Sequence, residues 1–181
     1  MRASNSDGVI PTIQHGRFLA EGTMAVNIGL GQRQRQAVAA ILSPLLADEY
    51  LLYTKTRNYH WNVVGPQFND LHKFFEAQYE ALDEIIDEVA ERGRALGGRA
   101  VGTLAEFLEL ARLKEHTGRP PAAREMIRDL LGSHEALIQT LRKDIETVDG
   151  HGDAGTNDFL TGLMEQHEKM AWMLRSFLEA R

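Results

Sequence analysis

Residues 60–66 read His60-Trp61-Asn62-Val63-Val64-Gly65-Pro66, and the segment that follows carries His72, Glu76, Asp87 and Glu91. Gly-Pro is a strong break in a helical pattern, so the quoted stretch predicts the end of one helix and the start of another. The later residues form two pairs at a spacing of four, which places each pair on one face of a helix. Imidazoles and carboxylates at such spacing are typical ligands of first-row transition metals.

The bulk composition predicts one soluble domain. The chain has 181 residues, of which 25% are charged and 43% apolar, and this length suits a single core. No apolar run approaches the roughly 18–20 residues that cross a bilayer, and the first 30 residues lack a secretory pattern, so we expect no membrane partner. Cysteine is absent, so any metal must be held by nitrogen and oxygen. The net charge of −6 opposes general attraction to nucleic acid.

Apolar residues recur at threes and fours in four long stretches, which predicts four amphipathic helices. The stretches run from about 31 to 60, from 66 to 97, from 127 to 148 and from 160 to 178, and a brief periodic piece covers 104–113. No alternating strand pattern competes with them. The sequence therefore predicts an all-α, ferritin-like four-helix bundle over residues 31–181, with a long crossover that carries a short extra helix between the second and third long helices. Residues 1–30 are expected to form a flexible tail.

The second helix separates its candidate ligands from its apolar side. With about 100° per residue, His72, Glu76, Asp87 and Glu91 share one stripe, and the apolar stripe is turned more than about 100° from it. The candidate ligands therefore face away from the bundle core. A metal site inside one bundle would use Glu-x-x-His motifs, and the sequence contains none.

Distance prevents one chain from closing the site. Glu76 and Asp87 are eleven residues apart, about 16 Å along a helix. An antiparallel second copy, related by a two-fold axis near residues 81 and 82, would bring the His72 end of one chain against the Asp87 end of the other. His60 can join the His72 side, and the set suits iron, manganese or zinc better than calcium or magnesium. The competing interpretation is an ordinary solvated acidic face, since this helix carries several other carboxylates.

Three polar residues lie on apolar helix faces. Glu49 falls on the core face of the first helix, and His134 and His167 fall on the core faces of the third and fourth. Buried polar groups are generally paired, so we expect these side chains to be hydrogen-bonded within the core.

A longer motif resembles a known family. The motif reads His60-Trp61-Asn62-Val63-x-Gly65-Pro66-x-Phe68-x-x-Leu71-His72, followed by Phe75-Glu76, Tyr79, Asp87 and Ala90-Glu91-Arg92. It is similar to the signature of Dps proteins, the miniferritins named as DNA-binding proteins from starved cells, and the similarity covers about residues 33–178.

The resemblance implies a hollow homododecamer whose ferroxidase centres lie at two-fold interfaces. In each centre, His60, His72 and Glu76 of one subunit and Asp87 and Glu91 of its mate would hold two iron ions, which zinc or another divalent metal can replace. Many relatives have Asp at the position of Glu76, which keeps the ligand type and lengthens the side chain. Trp61 resembles the family's tryptophan beside the centre, with a redox role and a packing role both open.

The implied activity is oxidation of Fe(II), preferably by hydrogen peroxide, with storage of ferric mineral in the shell and protection against oxidative damage. Asp153 and Asp158 match the place of the acidic residues that line the family's iron-entry pores, although Asp158 could equally be an ordinary first-turn residue of a helix. A cytoplasmic location is expected, with association with the nucleoid as an open possibility.

DNA binding is expected to be weak or absent. Relatives that bind DNA usually do so through a lysine-rich tail, whereas residues 1–30 contain no lysine. Two rival functions remain. The chain could be a DNA-compacting nucleoid protein with little iron chemistry, which the lysine-free tail disfavours. It could also be a monomeric or dimeric di-iron enzyme, which the outward ligand stripe disfavours.

Overall fold

The computed structural model describes residues 25–179, and the predicted tail lies almost wholly outside these residues. Five helices follow one another: α1 (Gln32–Asn62), α2 (Phe68–Ala95), α3 (Leu104–Leu110), α4 (Ala123–Gly150) and α5 (Ala154–Leu178). No strand occurs within residues 25–179. The four long helices form the bundle, and short α3 lies in the crossover between α2 and α4, so the predicted all-α architecture is confirmed.

The turn between α1 and α2 depends on Gly65. Its φ of 118° lies in the region that residues with a Cβ rarely adopt. The Gly65 carbonyl accepts a hydrogen bond from the Phe68 N–H at 3.0 Å, which starts α2 at Phe68. The sequence had suggested that Pro66 could begin this helix, whereas Pro66 lies within the turn. This turn sets the ends of α1 and α2 side by side.

The crossover is fixed to the bundle by Asp48, a buried residue of α1. The Asp48 carboxylate accepts hydrogen bonds from the backbone N–H groups of Arg112 and Leu113 at 2.6 and 2.9 Å, and from Arg112 Nε at 2.7 Å. Arg112 also donates to Asp144 of α4 at 3.3 Å. One carboxylate thus holds the chain after α3 against α1, and Arg112 also joins it to the C-terminal part of α4.

The core is built from the apolar stripes of all four long helices. Its largest fully buried side chains belong mainly to α1, α2 and α4: Tyr59, Phe75, Leu45, Leu52, Leu71, Leu82, Ile85, Leu96, Met126, Leu130, Leu137 and Leu141. Within residues 25–179, α1 is also the one helix whose length and composition would suit a membrane span, which the sequence analysis did not recognise. Half of that apolar window is buried inside the bundle, because α1 is a core helix whose leucines contact α2 and α4.

Candidate metal centre

The first half of the candidate centre is a stacked pair of imidazoles. His60 lies in the last turn of α1 and His72 lies in the first two turns of α2, so the Gly65 turn brings them together. Their ring centroids are 3.8 Å apart and the ring planes differ by 20°. His60 is buried and His72 is half-buried. The two imidazoles are therefore neighbours in the folded chain.

Two backbone hydrogen bonds fix the tautomer of both rings. His60 Nδ1 lies 2.8 Å from the His72 carbonyl oxygen, and His72 Nδ1 lies 2.9 Å from the His60 carbonyl oxygen. A carbonyl oxygen can only accept, so each Nδ1 carries a hydrogen and donates it. In the neutral rings the lone pair is then on Nε2. Metal-binding histidines are typically oriented in this way, with the nitrogen opposite the metal donating to a backbone carbonyl or a carboxylate.

Tyr79 and Arg57 lie against this pair. The Tyr79 ring meets the His60 ring edge to face at 5.2 Å between centroids, and the Arg57 guanidinium lies 4.7 Å from the Tyr79 centroid. Burial and the nearby Glu76 carboxylate raise the pKa of Tyr79, against the charge of Arg57. Tyr79 therefore packs against His60, with Arg57 on its ring.

The sequence analysis did not predict this contribution of Arg57. The available signal was its place one turn before His60 and Trp61 on the same helix. Arg57 also lies 5.5 Å from the Trp61 ring and 5.6 Å from the Tyr53 ring, and it donates to the Tyr53 hydroxyl at 2.5 Å. Arg57 thus holds three aromatic rings beside the imidazole pair.

The second half of the candidate centre lies further along α2. Asp87 and Glu91 are both exposed and are separated by one helical turn. Eleven residues separate Asp87 from Glu76, about 16 Å along the helix axis. Within residues 25–179, no three histidine, aspartate or glutamate side chains are grouped so that they could hold a metal ion. Glu76 is therefore not grouped with His60 and His72 as a third ligand in the single chain, and the two-copy site that the sequence predicts stays a prediction.

Large apolar side chains surround the imidazole pair at the surface. Trp61 is 66% exposed, Val64 is 77% exposed and Phe68 is 47% exposed, and the Phe68 ring stacks on His72 at 5.1 Å. Two further apolar side chains, Leu104 and Leu108, are exposed on one side of α3. Exposed apolar clusters of this kind commonly mark interaction surfaces.

The two predicted pore residues have different environments. Asp153 is buried and caps α5: its carboxylate accepts from the Thr156 N–H at 3.0 Å and from Arg92 Nη2 at 2.8 Å. Burial raises the pKa of Asp153, but the hydrogen bonds from Thr156 and the charge of Arg92 outweigh burial and leave that pKa lowered. Asp158 is exposed on the first turns of α5. These contacts explain Asp153 as a structural residue, and a contribution to iron entry stays a prediction for both residues.

Comparison with known proteins places this arrangement in a family. A family model described as the ferritin-like domain matches residues 39–181. DNA protection during starvation protein 2 of Bacillus anthracis is 39% identical over 141 residues, covering 78% of this chain and 96% of the relative. An uncharacterised low temperature-induced protein of Nostoc is 54% identical over 157 residues, covering 86% of this chain and 88% of the relative.

A solved structure agrees with this placement. The crystal structure of the Dps protein of Vibrio cholerae O1, described as a member of a broad superfamily of ferritin-like diiron-carboxylate proteins, aligns with a TM-score of 0.82 at 35% identity. The alignment covers 88% of this chain and all of that one. The Dps resemblance of the motif is thereby confirmed, and the chain belongs to the Dps family of ferritin-like proteins.

Proposed function

We propose that this protein is a ferroxidase that oxidises Fe(II), preferably with hydrogen peroxide, and stores the ferric product inside a hollow homododecamer. Membership of the ferritin-like Dps family supports an iron-storage and ferroxidase-type activity in general. The oxidant, the number of subunits and the residues of the centre are the specific parts of the proposal.

The observation that carries the proposal is the orientation of the two imidazoles. His60 and His72 both donate from Nδ1 to a backbone carbonyl, which leaves both Nε2 lone pairs for a cation. Glu76 follows His72 by one helical turn and adds a carboxylate. Two nitrogen ligands and one oxygen ligand suit Fe(II), and zinc or another divalent metal can occupy the same set.

The second copy supplies the carboxylates that complete the centre. In the proposed antiparallel pair, Asp87 and Glu91 of one chain face the His72 end of the other, and the two-fold axis generates two equivalent centres. The exposed apolar residues beside His72 support this pairing, because a second copy would remove them from water. Each chain alone holds two incomplete halves.

The proposed reaction consumes two Fe(II) ions for each hydrogen peroxide. Two Fe(II) give up one electron each, peroxide accepts both electrons and two protons, and the products are two Fe(III) and two water molecules. Binding both ions side by side favours this two-electron reduction over release of a hydroxyl radical. The protein residues bind and orient the ions, whereas the redox chemistry belongs to iron.

Size and stoichiometry test the proposal together. Size-exclusion chromatography with light scattering should give about 240 kDa, twelve times the 20.3 kDa chain. Anaerobic loading with Fe(II) followed by peroxide should oxidise two Fe(II) for each peroxide, without hydroxyl radicals detected by a spin trap. A stable dimer would refute the shell. A stoichiometry of one Fe(II) for each peroxide, with trapped radicals, would refute the paired site.

DNA binding is proposed to be weak or absent, although the names of several relatives refer to DNA protection. The support is electrostatic: the net charge is −6 and residues 1–30 have no lysine. In a gel-shift assay at low salt and neutral pH, the protein should leave linear DNA unretarded. Tight, saturable retention would favour the alternative of a DNA-compacting protein.

A further inference from the structure

Three fully buried polar residues form a chain of hydrogen bonds through the middle of the bundle. Glu49 of α1, His134 of α4 and His167 of α5 are each 0% exposed. His167 Nε2 lies 2.9 Å from Glu49 Oε1, and His167 Nδ1 lies 3.0 Å from His134 Nδ1. The proposed iron chemistry uses none of these residues.

This chain of hydrogen bonds joins the two helix pairs of the bundle. The turn at Gly65 pairs α1 with α2, and the short turn before Ala154 pairs α4 with α5. The bond between Glu49 and His167 crosses from the first pair to the second. Two other ion pairs that cross, Lys55–Asp129 and Arg92–Asp153, each have one partner that is a quarter or more exposed. Within residues 25–179, Glu49–His167 is the one ion-pair contact with both side chains fully buried.

The bond between the two imidazoles accommodates one hydrogen. Two nitrogens 3.0 Å apart can share one N–H, with one ring donating and the other accepting. If both Nδ1 atoms carried a hydrogen, two N–H donors would face each other with no acceptor between them, and they would repel. Within residues 25–179 the remaining nitrogen of His134, Nε2, is buried without a partner, so a hydrogen there would be a buried donor with no acceptor, whichever ring carries the charge. A further proton therefore leaves either two opposed N–H groups or one buried N–H without an acceptor, and both are unfavourable.

We propose that Glu49, His167 and His134 form a proton-sensitive lock that holds the α1–α2 pair against the α4–α5 pair and weakens in acid. The lock is closed while the imidazole pair shares one hydrogen and His167 contacts Glu49. Uptake of a further proton by the pair opens it.

Within residues 25–179, no charged side chain pairs directly with His134, whose hydrogen-bond partner is His167 of α5. The charged groups of the facing helix α1 are Glu49, which contacts His167, and Lys55, which is bonded to Asp129 and Ser133 of α4. The polar core residue of α2, Gln78, is uncharged and donates to the Met170 carbonyl. Of these side chains, Glu49 contacts His167 and not His134.

Burial, followed by the neighbouring His167, lowers the pKa of His134 well below its ordinary value of 6.5. Because the pKa of His134 is lower in the folded chain than in the unfolded chain, the unfolded chain binds a proton at His134 at pH values where the folded chain does not. The free energy of unfolding should therefore be largest above about pH 6.5 and should fall as the pH drops below that value.

The test compares pH slopes in the full-length protein. Unfolding by guanidinium is followed by circular dichroism between pH 8 and pH 5 at one fixed chain concentration, for the parent, His134→Asn and His116→Asn. The asparagine amide at 134 can donate to His167 as Nδ1 does, but it does not titrate. His116 is an exposed loop residue and serves as the matched control.

Below pH 6.5 the unfolding constant of the parent should rise up to about tenfold more per pH unit than that of His134→Asn, which corresponds to one proton. His116→Asn should follow the parent. Equal slopes for the parent and His134→Asn would overturn the proposal.

A second measurement needs no variant. Solid-state NMR of the sedimented parent, labelled with ¹⁵N-histidine, should show His134 neutral down to pH 5. Titration of His134 near pH 6.5 would also overturn the proposal, even if His134→Asn does not fold.

Discussion

The two pairs of histidines in this protein differ in the partners of their ring nitrogens. In the outer pair, the Nδ1–H groups of His60 and His72 each donate a hydrogen bond to a backbone carbonyl, so both Nε2 atoms remain available to a ligand. In the inner pair, His134 and His167 bond to each other, and His167 bonds to Glu49. The outer pair lies next to exposed apolar surface, whereas the inner pair is fully buried.

The difference shows how surroundings decide what a histidine can do. A ring nitrogen that faces a carbonyl becomes a fixed donor, so its opposite nitrogen is a fixed metal ligand. A ring nitrogen that faces another imidazole shares one proton and is sensitive to pH. Changes in the outer pair should therefore affect iron oxidation, and changes in the inner pair should affect stability.

The largest expected effect is on iron oxidation. His72→Ala and Asp87→Ala should each slow peroxide-driven Fe(II) oxidation at least about 10–100-fold, the usual loss when even a hydrogen-bonding partner of a metal ligand is removed. Stopped-flow absorbance after anaerobic loading measures the rate. Glu88→Ala, an exposed acidic change on the same helix, is the control and should oxidise iron at the parent rate. Parent-like rates for His72→Ala and Asp87→Ala would refute the assigned centre.

The inner pair should respond in stability. His167→Leu leaves Glu49 and His134 without their partner, at a cost of about 1–3 kcal/mol for each buried group left unpaired. Guanidinium unfolding at pH 7.5 measures the loss. His116→Leu, at an exposed loop position, should change the unfolding free energy by less than about 0.5 kcal/mol. A His167→Leu protein as stable as the parent would show that the core network contributes nothing.

The smallest expected effects separate the two aspartates at the start of α5. Asp153→Ala removes the helix cap and should cost about 0.5–2 kcal/mol of unfolding free energy. Because the pKa of Asp153 is lowered from 3.8, this contribution is present above about pH 4 and is lost as the pH falls below it. The difference in unfolding free energy between variant and parent should therefore shrink as the pH falls below about 4.

Asp158 provides the contrasting case at the same helix end. Asp158→Ala should leave the unfolding free energy nearly unchanged and slow iron uptake by less than about tenfold, since one charge is only part of a field that attracts cations. Uptake kinetics at low ionic strength measure this effect. If Asp153→Ala slows iron uptake without lowering the unfolding free energy, the assignment of Asp153 to stability and of Asp158 to iron uptake is wrong.

The sequence predicted most of the architecture because the helices have clear apolar stripes. The break at Gly65-Pro66, the crossover and the four long helices all agree with the structure. The apolar period of the last helix begins at Leu160, whereas α5 begins at Ala154, because residues 154–158 have no apolar period. An aspartate followed three residues later by threonine, Asp153 and Thr156, was the available signal for the helix cap.

The side-chain partners were less predictable than the elements. Sequence reasoning expected Glu49, His134 and His167 to be hydrogen-bonded in the core, and it could not pair them with one another, because their partners lie on different helices. The hydrogen bonds between His60 and His72 could not be predicted from the sequence for a similar reason, because their acceptors are backbone carbonyls, which every residue has. Tertiary packing alone decides which carbonyl each ring meets.

The central claim is that two copies of the chain share each centre, and mixed shells test it most directly. His72→Ala and Asp87→Ala chains are each expected to oxidise iron slowly alone, but a pair made of one of each contains one intact centre and one doubly damaged centre. With random pairing, half of the pairs are mixed, so co-expressed shells should recover about a quarter of the parent's oxidation rate. Mixed shells with no more activity than either variant alone would contradict a centre built between two chains.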